Sequence, residues 1–178
     1  MVIENVRCDW VFLTKPNKND KYGVCAMLPK GSKQLAQVEK AVQQAIQKGI
    51  AAGKFTEAAV KSTNFKRCLR DGDAEIETED RPKHYKGMMF FNASNAEKPG
   101  LVDKDMSPIM DESKVYSGAY YHLDVSFYPY VHPKGGKGVG AGINNVMFCA
   151  DGDRLDGRQN AEDAFADLAV KADDDDLV

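Results

Sequence analysis

Apolar and polar residues alternate from Val2 to Leu13, with Val6, Cys8, Trp10 and Phe12 on one face and Arg7 and Asp9 on the other. A period of two predicts a half-buried β-strand. The stretch Lys15-Pro-Asn-Lys-Asn-Asp20 is polar turn sequence. Tyr22 to Leu28 predicts a second strand, stopped by Pro29, and the two strands form a hairpin with a longer loop. The period then changes. Leu35, Val38, Val42, Ala45, Ile46 and Ile50 recur at helical spacing behind Ser32, a good N-cap, with lysines and glutamines on the opposite face. A basic, partly irregular segment follows, interrupted by Asp71-Gly72-Asp73, which reads as a turn.

The second half of the pattern is strand and turn. Met88 to Ala93 predicts a buried strand, Pro99-Gly100 and Ser107-Pro108 predict turns, and Tyr116 to Val131 predicts the longest strand. Gly135 to Gly142 holds five glycines in eight residues and predicts a flexible hairpin loop. Ile143 to Ala150 returns as a strand. Asn160 caps a short helix over 160–172 with Phe165 and Leu168 inward, and 173–178 is expected to be a disordered acidic tail. Short strands, one long helix and no alternation of strand with helix predict a mainly β fold: a small β-barrel with one longer inserted helix and a short C-terminal one.

Composition changes this picture in one respect. The net charge of −3 argues against a nucleic-acid partner, but the charge is uneven. From Asn160 onward there are seven acids and one base, while residues 1–159 hold 23 bases and 20 acids. A mildly basic body thus carries a strongly acidic end, and that asymmetry is the informative quantity. No apolar run reaches the length of a transmembrane helix, and the N-terminus lacks a basic then apolar leader pattern, so no membrane association is expected and a cytoplasmic location is. Cys8, Cys25, Cys68 and Cys149 never form C-x-x-C and are expected to be reduced, buried thiols.

Catalytic signatures are lacking. No G-x-S-x-G elbow occurs, and His84, His122 and His132 lack the H-x-x-x-H spacing of a metal site. Gly135 to Gly140 contains Gly-Lys-Gly-Val where a phosphate loop needs Gly-Lys-Ser/Thr opening a helix. The acid pairs Asp71/Asp73 and Asp151/Asp153 sit beside glycines, which is turn chemistry first. No catalytic residue, metal ligand or cofactor is assigned.

Aromatic residues interleaved with bases point elsewhere. Strand alternation over Tyr116 to Tyr130 sends Tyr121, Leu123, Val125 and Phe127 to a core-like face and Tyr120, His122, Asp124, Tyr128 and Tyr130 to an aromatic, polar one. Bases of any identity stack on such rings. Basic residues on turns flank that face. The candidate DNA-binding set is Arg67, Arg70, Lys83, His84, Tyr85, Lys86, Tyr120, His122, Tyr128, Tyr130, Lys134 and Lys137.

Longer motifs carry a resemblance. They are the hairpin Tyr22-x-x-x-x-x-Leu28-Pro29-Lys30 entering an Ala-rich helix, the step Arg70-Asp-Gly-Asp73, and Phe90-Phe-Asn-Ala-Ser94 with Lys98-Pro-Gly100. After Tyr116-Ser-Gly118 come Gly140-Ala-Gly-Ile-Asn-Asn-Val-Met-Phe148, Asp151-Gly-Asp-Arg-Leu155 and Glu162-Asp-x-Phe165. Their order and spacing resemble a phage-encoded family of OB-fold single-stranded DNA-binding proteins over nearly the full length. More distantly, the chain is similar to the replication single-strand binders of short-tailed phages, whose acidic tails commonly end in an aromatic residue; this one ends in Leu177-Val178.

The resemblance implies an OB barrel over residues 1–159, sequence-independent binding of single-stranded DNA, and a role in phage DNA replication or recombination inside the infected host cell. It implies a non-enzymatic protein whose tail, Asp173, Asp174, Asp175, Asp176, Leu177 and Val178, binds a replication polymerase or helicase; a homodimer is a further expected assembly. The alternatives are a metal-dependent phage nuclease or recombination enzyme, and a structural phage protein.

Overall fold

The computed structural model describes residues 1–78 and 80–157. The expected helix over 160–172 and the tail over 173–178 lie outside them. Within them, one long antiparallel path runs through β1 (Val2–Phe12), β2 (Tyr22–Pro29), β5 (Met88–Asn95), β7 (Tyr120–Val131) and β8 (Lys137–Ala150), with β7 beside β1 and β8 beside β7. β5 and β8 then approach each other without a ladder. The Asn95 side-chain amide donates to the Ile143 carbonyl at 3.2 Å across that seam. The result is a partly open five-stranded Greek-key barrel, the OB architecture. Three shorter strands sit on it. β3 (Phe65–Lys66) and β6 (Gly100–Val102) add parallel to β8, and β4 (Arg70–Asp71) adds to β5.

The helices are α1 (Lys33–Ala51), α2 (Glu57–Lys61) and α3 (Gly72–Glu77). Ser32 caps α1 as expected, its hydroxyl accepting from the Leu35 amide at 3.1 Å, and the apolar stripe puts Leu35 and Val38 against the barrel. Asp71-Gly72-Asp73 is a helix start rather than a free turn. The Asp71 carboxylate accepts from the Asp73 amide, and Asp73 and Glu75 place negative charge at the positive end of α3.

The barrel interior holds Ile3, Val6, Cys8, Leu13, Val24, Ala26, Leu28, Phe91, Tyr121, Leu123, Val125 and Ile143, all buried. A second cluster, around Ile46, Phe55, Phe65 and Val139, joins α1 to the start of β8. A third lies on the outer face of β2 and β5, where Cys25, Met27, Tyr85 and Phe90 are covered by the segment after α3. That cover explains why β2 is buried on both faces.

Three expectations change. Strand β7 starts at Tyr120, because the Tyr116 amide is taken by the Tyr121 hydroxyl instead of a neighbouring strand. β8, not β7, is the longest strand, because Gly135 to Gly142 is mostly strand: Val139, Ala141 and Ile143 alternate inward and the ladder to β7 reaches Lys137. The connecting turn is only 132–136, closed by the His132 amide on the Gly136 carbonyl at 2.6 Å. Pro99-Gly100 leads into β6 rather than reversing the chain.

The largest change is in β1. Its register slips once between Ile3 and Val6 and again between Asp9 and Phe12, so one extra residue bulges at each place. Asn5 (φ 53°) and Trp10 (φ 48°) take left-handed backbone there. Val6 and Cys8 face the core as expected. After the second bulge the inward positions are Val11 and Leu13, while Trp10 and Phe12 turn outward.

Candidate nucleic-acid interface

The everted residues border a cleft of about 390 Å³ on the outer face of β1, β2 and β5. Trp10, 56% exposed, and Phe12 form its aromatic side. Lys21, Asn17 and Asn19 come from the β1–β2 loop, which Asn17 braces by accepting from the Asn19 and Lys21 amides. Asn92 and Ser94 of β5 and the guanidinium of Arg81 complete the wall. The lining has two cations, three side-chain amides and no carboxylate. A surface of that kind attracts an anionic backbone and offers an open indole face to a base. A second hollow, holding Tyr116 and Arg154, lies on the other side of Trp10.

A buried acid holds this arrangement. Asp9 is 6% exposed. Its Oδ1 accepts from the Trp10 amide at 2.8 Å, and its Oδ2 accepts from the Tyr85 hydroxyl at 2.9 Å, with His84 Nε2 also 2.9 Å away. Tyr85 is itself fully buried, and that burial pushes its phenol well above the usual range, so it remains a donor. Burial likewise raises the Cys25 thiol, to about 11, and the Tyr85 hydroxyl lies 3.3 Å from it. Arg81 lies over the rings of Tyr85 and Phe90 and donates to Glu75 at 3.3 Å. One carboxylate therefore pins both the bulge and the segment that carries Arg81.

The sequence-derived candidates divide into groups. Tyr128, Tyr130, Lys134 and Lys137 gather at the β7–β8 hairpin. His84 reaches the margin of the cleft through Asp9. Tyr120 and His122 lie at the far end of β7, beside Arg7 and Asn5. Lys83 and Lys86 line a separate groove with Ile76, Glu77 and Asp73.

Of the remaining three, Tyr85 is corrected, while Arg70 and Arg67 are exposed and held by local contacts. Tyr85 has no exposed surface and its hydroxyl is taken by Asp9, so it offers no ring to a base. Arg70 makes a bidentate pair with Glu75, both contacts 2.6 Å, and lies over Phe90. Arg67 donates to the Val60 carbonyl and stacks on Phe65, which fixes the turn before β3. Trp10, Lys21, Arg81 and Asn92, which line the cleft, were not among the sequence-derived candidates. A signal existed for Trp10: the unbroken apolar run Trp10-Val-Phe-Leu13 breaks the alternation, as a bulge does.

The fold and this face together define an OB-type barrel with an open, carboxylate-free aromatic cleft on the side where such barrels take extended chains. By sequence the chain belongs to the Enterobacter phage Enc34 ssDNA-binding protein family, whose model matches residues 1–178. A curated relative, putative protein p50 of Acyrthosiphon pisum secondary endosymbiont phage 1, is 36% identical over 105 residues, 58% of this chain. The match spans about half that relative's length, 53%.

Among solved structures, the single-stranded DNA-binding protein from bacteriophage Enc34 is similar with a TM-score of 0.68 at 20% identity, over 92% of this chain and 88% of that one. The same protein in complex with ssDNA gives 0.66 at 17% identity, over 86% and 88%. The bacteriophage T7 protein gp2.5 gives 0.63 at 14% identity, over 90% and 97%. These likenesses establish the fold. Among the described residues no helix is long and apolar enough to cross a membrane.

Proposed function

We propose that this chain binds single-stranded DNA without sequence preference and coats it, without catalysis, during phage DNA replication and recombination. The observation that carries the reading is Trp10, turned out of β1 by a bulge into a cleft with two cations and no carboxylate. The family description and the DNA complex of a structural neighbour support it. Trp10 stacks on a base, Lys21 and Arg81 face phosphates, and Asn17, Asn19 and Asn92 bond whatever base edge arrives. Sequence tolerance follows because every base has a face to stack. The acidic end, Asp173 to Asp176 with Leu177 and Val178, recruits a replication polymerase or helicase, and the site of action is the infected host cell.

The test is a titration of labelled oligonucleotides of mixed sequence, with and without magnesium. Binding with little sequence preference, intact oligonucleotide and a log affinity falling with log salt by about 0.7 per contacted phosphate are expected. Cleavage in magnesium would establish a nuclease instead, and absence of binding would leave a structural role.

A further inference from the structure

Among the described residues, the one buried charged side chain is Asp9. A carboxylate taken out of water is costly unless donors and a counter-charge replace the water. Two neutral donors are in place. The Trp10 amide reaches Oδ1 at 2.8 Å, and the Tyr85 hydroxyl reaches Oδ2 at 2.9 Å. No lysine or arginine among the described residues comes within ion-pair distance of Asp9. The one ion-pair partner there is His84, whose Nε2 stands 2.9 Å from Oδ2.

The two sides of this contact differ in firmness. His84 and Tyr85 belong to a single 3-10 turn, Lys83–Tyr85. A Cβ at Gly72 would fall 2.3 Å from the Tyr85 carbonyl oxygen, so α3 starts directly against that turn. Just past it, the Gly87 amide donates to Asp73 at 2.9 Å, and the Gly87 carbonyl accepts from the Lys30 amide at 2.9 Å. The β1 side is a bulge. The ladder to β2 pairs Asp9 with Cys25 and resumes at Phe12 with Gly23, and Trp10 falls between those pairs. Its backbone, at φ 48°, lies in the left-handed region that residues other than glycine seldom adopt. The bulge therefore leans on Asp9, and Asp9 leans on a fixed turn.

Histidine is the side chain that gains or loses a charge between about pH 5 and 8. Protonated, His84 completes an ion pair through a charge-assisted bond. Neutral, it offers one ordinary bond, and only in the tautomer with the proton on Nε2. The groups packed around the contact hold their state over that range. Burial raises the Cys8 thiol of β1, the Cys25 thiol of β2 to about 11, and the Tyr85 phenol of the turn. Arg70 of β4 holds the Glu75 carboxyl of α3 low, and Arg70 and Arg81 keep their charge. β5 has no ionisable side chain, and Lys83 and Lys86 line the separate groove. Beyond Trp10, Arg154 is paired with Asp156 and Glu112 with Lys15. We infer that His84 is a positioning residue for the DNA-binding bulge: its proton tightens the hold of Asp9 on the Trp10 backbone, so this chain grips single-stranded DNA more firmly in mild acid than in mild base. The inference rests on the single-stranded DNA reading and couples a proton to it.

His84→Gln keeps a donor for Asp9 but cannot titrate, and His84→Ala removes the donor. Oligonucleotide affinity is measured across pH and salt for all three proteins. The order parameter of the Trp10 backbone amide is measured by NMR relaxation without DNA. The unaltered protein is expected to lose affinity roughly fivefold between about pH 5.5 and 8, the worth of a charge-assisted bond over a neutral one. The order parameter should fall over the same range while the salt slope stays constant. His122 and His132 titrate in every variant, so the difference between the unaltered and His84→Gln profiles belongs to His84. His84→Gln should lose that pH dependence in both readouts, and His84→Ala should bind weakly throughout with the most mobile bulge. Coincident profiles for the unaltered protein and His84→Gln overturn the inference. So does an affinity whose salt slope steepens in acid while the DNA-free order parameter stays constant, because His84 would then touch phosphate itself. If the unaltered protein binds no oligonucleotide, the DNA reading fails by itself, and the order parameter still decides whether the His84 proton steadies Trp10.

Discussion

Asp9 and Trp10 are neighbours with opposite fates, one buried and one exposed, and this contrast separates fold from function. Trp10→Ala removes a ring that touches little of the core, so stability should hold while DNA binding weakens by about 1–3 kcal/mol, the worth of one stacked base. Asp9→Ala strips the Trp10 amide and the Tyr85 hydroxyl of their acceptor. Each orphaned buried donor costs about 1–3 kcal/mol, so this variant should lose stability and DNA affinity together. Denaturant unfolding and oligonucleotide titration on both variants check the pair. Equal stability loss in both would place Trp10 in the core after all. Strict alternation put Trp10 on the core face and Asp9 on the opposite one. The residue inserted after Asp9 turns Trp10 outward, while Asp9 keeps its face and is buried there by the segment carrying His84 and Tyr85, a cover that no local pattern in β1 encodes.

At the scale of elements, α3 acts as a clamp over the outer face of β2 and β5. Glu75 takes Arg70 in two 2.6 Å contacts and Arg81 in a third at 3.3 Å. The Arg70 guanidinium holds the Glu75 carboxyl below its ordinary value of 4.5. A depressed carboxyl stabilises the fold fully above 4.5 and progressively less as pH falls through the folded value. Glu75→Gln should therefore cost stability at neutral pH, under about 1 kcal/mol because Arg70 is partly in water. The two proteins should converge in acid. Thermal unfolding across that range measures it, and parallel curves would show the pair contributes nothing. The long elements were legible because β2, β5, β7 and α1 bury one clear stripe or a continuous run. The pieces β3, β4, β6, α2 and α3 have two to six residues each and owe their form to neighbours. The cleft was illegible for a similar reason: its residues come from 10–25, 81 and 92–94, brought together only by the barrel. By contrast, Tyr128 and Tyr130 alternate along β7, so the sequence alone puts them on one face.

For the molecule as a whole, charge is separated along the chain. The cleft lining is free of carboxylates, while seven acids lie beyond Asn160. An acidic segment tethered to a cationic surface competes with DNA for the same lysines, and salt screens that competition within about 8 Å at physiological strength. Deleting residues 173–178 should tighten DNA binding by a few-fold at low salt and change it little at high salt. Affinities measured across salt for both lengths of chain decide the matter. Identical affinities throughout would confine the tail to other partners or to solubility.

The protein has a single tryptophan, and the bulge in β1 has set it in solvent at the mouth of the cleft. Its ultraviolet emission is consequently a built-in optical reporter of one place. Because the indole is already wet in the folded state, its wavelength should shift little on denaturation, making it a poor gauge of folding. A base stacked on it, however, should quench it in proportion to occupancy, with no label attached. Saturating single-stranded DNA is expected to remove most of the signal at a stoichiometry set by the length of strand each molecule covers. Emission that stays constant through saturation would take Trp10 out of contact with DNA.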